Sequence, residues 1–140
     1  MKNEVINNKI ESLRKCLQRI ESKKPFTINK LIDDYDLQDI ICLNIERSVQ
    51  ICVDIAAHLI SETEANAPDS MSDSFAILRK LNYINEDVEI RMKKAVGFRN
   101  IAVHTYQDID WKIVYSIVTE NLDDFVEFIK QIIKHAKAES

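Results

Sequence analysis

Apolar residues recur along this chain at alternating intervals of three and four, which is the spacing of one face of an α-helix. The pattern predicts helices over about residues 3–22, 37–64 and 73–82. Pro25 follows the first of these segments, and Pro68 lies in the loop before the third. Because proline lacks the backbone N–H that a helix interior needs, both positions mark helix boundaries.

Two further helices complete the pattern. One begins at Asn85, where the acidic residues that follow would favour the positive end of the helix dipole. The other begins at Asp108 or Asp110, both of which can cap a helix, and continues to about residue 136. Four principal helices with short connections indicate an up-and-down four-helix bundle with an additional short helix.

Composition supports this all-α prediction. The chain has one glycine and two prolines, too few for the turns of a sheet protein. A length of 140 residues with 46% hydrophobic content suits a single domain over residues 1–140 that buries its own core. No apolar run is long enough to cross a bilayer and no signal-peptide core is present, so we expect a soluble cytoplasmic protein.

Cysteine content and charge narrow the function classes. Cys16, Cys42 and Cys52 are odd in number and lack metal-ligand spacing, so we expect reduced core thiols, with no metal and no cofactor. The net charge of −4 argues against a nucleic-acid binder. From Arg79 to His104, however, basic residues outnumber acidic ones. That window is either a solvated helix face or an anion-binding surface.

The predicted second helix carries a polar row on an otherwise apolar rod. Glu46, Gln50, Asp54 and His58 recur every four residues. For Glu46 and Gln50 a solvent-exposed stripe is the favoured interpretation, because charged residues are usually exposed. Asp54 lies between apolar neighbours, so we expect it to be a supporting residue that orients the side chain of Arg99 or His104. His58 can pair with Asp54 at helical spacing and is more often structural than catalytic.

The densest chemistry lies in the pattern Arg99-Asn100-x-x-x-His104-x-Tyr106. An arginine can hold a phosphate, and a histidine can move a proton near neutral pH. Arg99 continues the inward apolar stripe of its helix, whereas Asn100 and His104 share a neighbouring face. One straight helix therefore cannot bring all four side chains together. Either the helix ends near His104 and the tail bends back, or a second copy of the chain completes the site.

Gly97, the only glycine, precedes this motif. Glycine inside a helix costs about 1 kcal/mol relative to alanine, so a benefit is expected in return. Close approach of another helix is that benefit. The other helix belongs either to the same subunit or to a dimer partner.

These residues resemble the HEPN superfamily and, within it, the HepT-like family. The family signature Arg-x4-His-x-Tyr is met by Arg99, His104 and Tyr106, and the frequent asparagine is Asn100. The resemblance extends to residues 52–58, 73–75 and 96–98, and so covers nearly the whole chain. It implies a homodimeric four-helix bundle with metal-independent endoribonuclease activity on an RNA substrate, acting as a toxin. It also implies an MNT-type nucleotidyltransferase antitoxin as partner, which neutralises the toxin by transferring AMP to the motif tyrosine.

The resemblance assigns roles to individual residues. His104 is the general acid or base, Arg99 holds the phosphate and Asn100 orients or donates a hydrogen bond. Tyr106 is the modification site. An alternative is a non-catalytic HEPN subunit that binds a nucleotide or substrate for a nucleotidyltransferase complex. A purely structural helical protein with an accidental motif is a third interpretation.

Overall fold

The computed structural model describes residues 3–139, with side chains described to residue 136, and every regular element in that range is helical. The principal elements, in chain order, are α1 (Glu4–Ser22), α2 (Ile28–Ile32), α3 (Tyr35–Ser61), α4 (Met71–Lys80) and α5 (Glu86–His104). After a 3₁₀ turn at Tyr106–Asp108 come α6 (Trp111–Ser116), a π-helical turn at Ile117–Asn121, and α7 (Asp123–Glu139). The all-α prediction is confirmed.

Side-chain caps fix where these helices begin. The Asn85 side chain accepts a hydrogen bond from the Val88 backbone N–H, so α5 begins where the sequence predicted. Ser70 caps α4 and Asp110 caps α6 in the same manner. Each cap satisfies a backbone donor that the first turn of a helix leaves without an internal partner.

The last predicted helix is not continuous. It divides into α6 and α7 at the π-helical turn Ile117–Asn121. A π turn inserts an extra residue and changes the direction in which the following side chains point. Val114 and Val118 pack in one core cluster, whereas Phe125 packs in the other, so the turn lies where the segment passes between two cores.

The central helix α3 holds the bundle together. It packs against α1, α4 and α5, while α5 also packs against α7. The larger core cluster contains buried residues of α1, α3, α4, α5 and α7, including Phe75 and Phe128 in edge-to-face contact at 5.6 Å. Among the residues with assigned positions, no helix has the length and apolar character to cross a membrane.

A second core cluster lies beneath the motif. Phe98 and Ala102 of α5 pack there with Ile41 and Ile45 of α3 and with buried residues of α2 and α6. Cys42 is also buried in it, and all three cysteines are free thiols, as expected. This cluster fixes the end of α5 against the first half of α3.

Candidate active site at the end of α5

Helix α5 ends within the motif, at His104. The Thr105 backbone N–H donates to the Ile101 carbonyl at 2.9 Å, which caps the last turn. The chain then turns through Tyr106–Asp108 and returns to the second core at Ile109, which is buried. The tail therefore bends back and carries Tyr106 away from the helix axis, whereas Arg99, Asn100 and His104 all remain on α5.

Tyr106 lies against α3 after this turn. Its hydroxyl donates a 2.8 Å hydrogen bond to Oδ1 of Asp39, and its ring packs edge-to-face on Trp111 with centroids 6.0 Å apart. Tyr106 remains 40% exposed to solvent. Burial, followed by the hydrogen bond to Asp39, raises the pKa of the Tyr106 phenol well above its ordinary value. The phenol is thus neutral at physiological pH.

Arg99 is half-buried on the side of α5 that faces α3. Its Nη1 donates to the Asn100 side-chain oxygen at 3.3 Å. Burial raises the pKa of the Glu46 carboxyl, and the Arg99 charge opposes that rise. Within residues 3–136, no carboxylate lies within 4.0 Å of the guanidinium. The guanidinium can therefore bind an anion from solution.

His104 and Asn100 are both exposed. His104 lies in the same longitudinal row as Gly97 and Ile101, at spacings of seven and three, and both of those residues are exposed as well. A Cβ atom at position 97 would meet no heavy atom within 4 Å. No other helix of the subunit therefore approaches Gly97 closely, and packing within one subunit does not explain the glycine.

The structure does not bring Asp54 to the motif. Its carboxylate accepts hydrogen bonds from Lys9 at 3.3 Å and Gln50 at 2.9 Å, so it joins α3 to α1. His58 does not pair with Asp54 either; its Nε2 is 2.9 Å from the Asn3 amide nitrogen. Asp54 and His58 lie about two and three helical turns beyond the part of α3 that faces the motif.

The α3 carboxylates that do face the motif are Asp39 and Glu46. The sequence pattern favours a solvent-exposed stripe for Glu46 and does not mark Asp39 as a site residue. The spacing of these residues could have revealed that they share one side of α3. Cys42 follows Asp39 by three residues, and Glu46 follows Cys42 by four. Burial, with added repulsion from both carboxylates, raises the pKa of the Cys42 thiol to about 12, so it remains protonated.

Comparisons with known proteins identify the family. A family model described as ribonuclease HepT-like matches residues 6–132. The chain belongs to the HepT-like family. It is 38% identical to the mRNA nuclease HepT of Shewanella oneidensis over 130 aligned residues. The alignment covers 93% of this chain and 97% of that relative. It is 20% identical to the tRNA nuclease HepT of Aphanizomenon flos-aquae over 128 residues, which are 91% of this chain and 87% of that relative.

Solved structures of HepT-like proteins agree with this assignment. One structure holds the tri-AMPylated Shewanella oneidensis HEPN toxin in complex with its MNT antitoxin. It superimposes with a TM-score of 0.88 at 37% identity, covering 94% of this chain and 98% of that one. A toxin–antitoxin crystal structure with AMP-PNP also gives a TM-score of 0.88 at 36% identity. That match covers 94% of this chain and 99% of the chain in that structure. The predicted HEPN-like helical bundle is therefore confirmed.

Proposed function

We propose that this chain is the toxin of a HEPN/MNT toxin–antitoxin system and cleaves RNA as a metal-independent endoribonuclease. The observation that carries the proposal is the free side of the Arg99 guanidinium, which has no carboxylate within ion-pair distance in the described part of the molecule. A half-buried cation without an ion-pair partner is suited to binding a phosphate. The names of the relatives, which are mRNA and tRNA nucleases, support RNA as the source of that phosphate.

RNA supplies its own nucleophile, the 2′-hydroxyl, so cleavage needs proton transfer and stabilisation of negative charge. His104 is exposed, and an imidazole can act as a general acid or base. Arg99 stabilises the charge that develops on phosphorus, and Asn100 orients the guanidinium through the hydrogen bond to its side-chain oxygen. In this proposal these groups carry out the cleavage without a metal ion.

The active form in this proposal is a homodimer. Arg99 faces α3, whereas His104 is on the exposed row with Gly97 and Ile101. In this proposal a second copy packs along that row, brings His104 to the interface and completes a site that one copy does not form. The open space beside Gly97 supports such an approach, because a glycine permits two helix backbones to come close.

The antitoxin acts, in this proposal, by transferring AMP to Tyr106. The Shewanella oneidensis toxin, which is AMPylated in its complex with an MNT antitoxin, supports the modification. Tyr106 and Arg99 both lie close enough to Glu46 for its charge to matter, so they belong to one electrostatic environment. AMP on Tyr106 would add bulk and negative charge beside the phosphate-binding arginine and so exclude RNA.

Cleavage is tested with purified variants and RNA in the presence of excess EDTA. Arg99→Ala and His104→Ala should each abolish cleavage while helical content stays unchanged. Arg14→Ala and His58→Ala, which remove the same side chains from α1 and α3, are the matched controls. Undiminished cleavage by either motif variant, or loss of wild-type cleavage in EDTA, would reject the assignment. A dimer that binds nucleotide through Arg99 but cleaves no RNA would favour the non-catalytic binding subunit.

Modification is tested by intact-mass measurement after incubation with ATP and the cognate MNT-type nucleotidyltransferase. The wild-type chain should gain the mass of AMP, and Tyr106→Phe should not. Tyr35→Phe is the matched control, because Tyr35 is the first residue of α3, lies outside the motif and is 79% exposed. Equal AMP addition to wild type and Tyr106→Phe would show that the proposed site is wrong.

A further inference from the structure

We propose that Asp39 orients the Tyr106 hydroxyl and accepts its proton when AMP is transferred. The inference rests on the proposed modification of Tyr106. Asp39 Oδ1 is 2.8 Å from the phenol oxygen, the atom that would attack the nucleotide. The two residues are 67 positions apart in sequence, so the fold creates this contact.

The Asp39 carboxylate is available for this role. Asp39 is exposed, and in the described structure its side chain has neither an ion pair nor a hydrogen-bond partner other than Tyr106. An ion-paired carboxylate would be a poorer proton acceptor, because a neighbouring cation favours its ionised form. The position of Asp39 on α3 is also well defined. Gln38, the preceding residue, donates to the carbonyls of Leu31 and Ile32 and so fixes the first turns of α3.

The phenol is held in place from two sides. Trp111 packs against the edge of the Tyr106 ring, and Asp39 holds the hydroxyl. Tyr106 remains 40% exposed, which leaves room for an enzyme partner to bring a nucleotide to the side chain. Such prior orientation reduces the entropy that the reaction must lose.

The transfer step balances with these two residues and ATP. The Tyr106 oxygen attacks the α-phosphorus, the new oxygen–phosphorus bond forms, and the bond from that phosphorus to the β-phosphate oxygen breaks. Pyrophosphate leaves with the bonding electron pair, and the phenol proton passes to Asp39 Oδ1. Burial and the Asp39 charge raise the pKa of Tyr106, so the phenol does not ionise beforehand. Proton acceptance during bond formation is therefore the route open to it.

The test compares AMP transfer to wild type, Asp39→Asn and Asp39→Glu by the cognate MNT-type nucleotidyltransferase with ATP. Asp39→Asn keeps a hydrogen-bond acceptor but cannot take the proton, so kcat should fall about 100–10,000-fold while KM for ATP is unchanged. Its rate should rise about tenfold per pH unit between pH 7 and 9, because only ionised phenol then reacts. Wild type should depend weakly on pH there, and Asp39→Glu should recover part of the rate. Asp36→Asn, one helical turn earlier, is the matched control.

Two results would overturn the inference. One is an Asp39→Asn rate equal to wild type across the pH range. The other is a reduced rate with the wild-type pH profile, which would indicate a structural contact only. Failure of the proposed function has a different signature. In that case wild type takes up no AMP, or Tyr106→Phe takes it up as readily as wild type does.

Discussion

Arg99 and His104 lie on nearly opposite sides of α5. Arg99 follows Met92 by seven residues and so continues the buried face, whereas His104 follows Gly97 by seven on the exposed face. Because each residue of an α-helix turns the chain by about 100°, five residues separate the two side chains by about 140°. A phosphate bound by Arg99 of one copy is therefore out of line with His104 of the same copy. In the proposed homodimer, the second copy would supply the group that is out of line in the first.

A mixed dimer tests the composite site directly. Arg99→Ala and His104→Ala are each expected to be inactive alone. When co-expressed with different tags and purified as the heterodimer, they should regain about half of wild-type cleavage, because one of two equivalent composite sites is intact. The measurement is the rate of RNA cleavage per dimer. If both groups act from the same chain, every site in the heterodimer lacks one of them and activity stays absent.

The helix pattern was predictable from sequence because it is local. Asn85 caps α5 through a bond to Val88, three residues on, and such signals lie within one turn of chain. The Tyr106–Asp39 bond was not predictable, because only the packing of α5 on α3 brings the two residues together. Asp54 stands between apolar residues in the sequence, but adjacent residues on a helix face different directions, so these neighbours do not indicate where its carboxylate points.

Gly97 provides a test of the dimer surface. Since a Cβ there meets nothing within the subunit, Gly97→Ala should stabilise the isolated helix by about 0.5–1 kcal/mol. Gly97→Leu should raise the dimer dissociation constant at least about tenfold, because bulk would enter the helix–helix contact; a tenfold change corresponds to about 1.4 kcal/mol. Sedimentation over a concentration series measures this. The control is Ala57→Leu, at an exposed position of α3. An unchanged dissociation constant for Gly97→Leu would remove Gly97 from the interface.

Phe75 and Phe26 form a matched pair for the stability of the bundle. Phe75 is 0% exposed and packs edge-to-face on Phe128, whereas Phe26 is 90% exposed. Phe75→Ala should lower the free energy of unfolding by about 3–5 kcal/mol, from lost burial and the cavity left behind. Phe26→Ala should change it by less than about 0.5 kcal/mol. Urea unfolding followed by circular dichroism measures both. Similar losses for the two variants would contradict the placement of these rings.

Glu89 links the pH dependence of stability to the contact between α4 and α5. A hydrogen bond from Lys93 is the main cause that lowers the pKa of its carboxyl, Arg79 adds to the effect, and burial opposes it. The Lys93 and Arg79 nitrogens lie 2.9 and 3.1 Å from its oxygens.

A pKa below the unfolded value of about 4.3 means that this carboxylate stabilises the fold above that pH and loses its effect as the pH falls through the folded value. Glu89→Gln should therefore lower the free energy of unfolding by about 0.5–1 kcal/mol at pH 7, because the Arg79 and Lys93 side chains remain 50% and 41% exposed and water screens their charges. Denaturant unfolding of both proteins between pH 7 and 3 measures the difference, which should shrink below about pH 4. Glu64→Gln, in the exposed loop after α3, is the control and should match wild type throughout. A wild-type advantage that stays constant down to pH 3 would show that the carboxylate charge does not contribute.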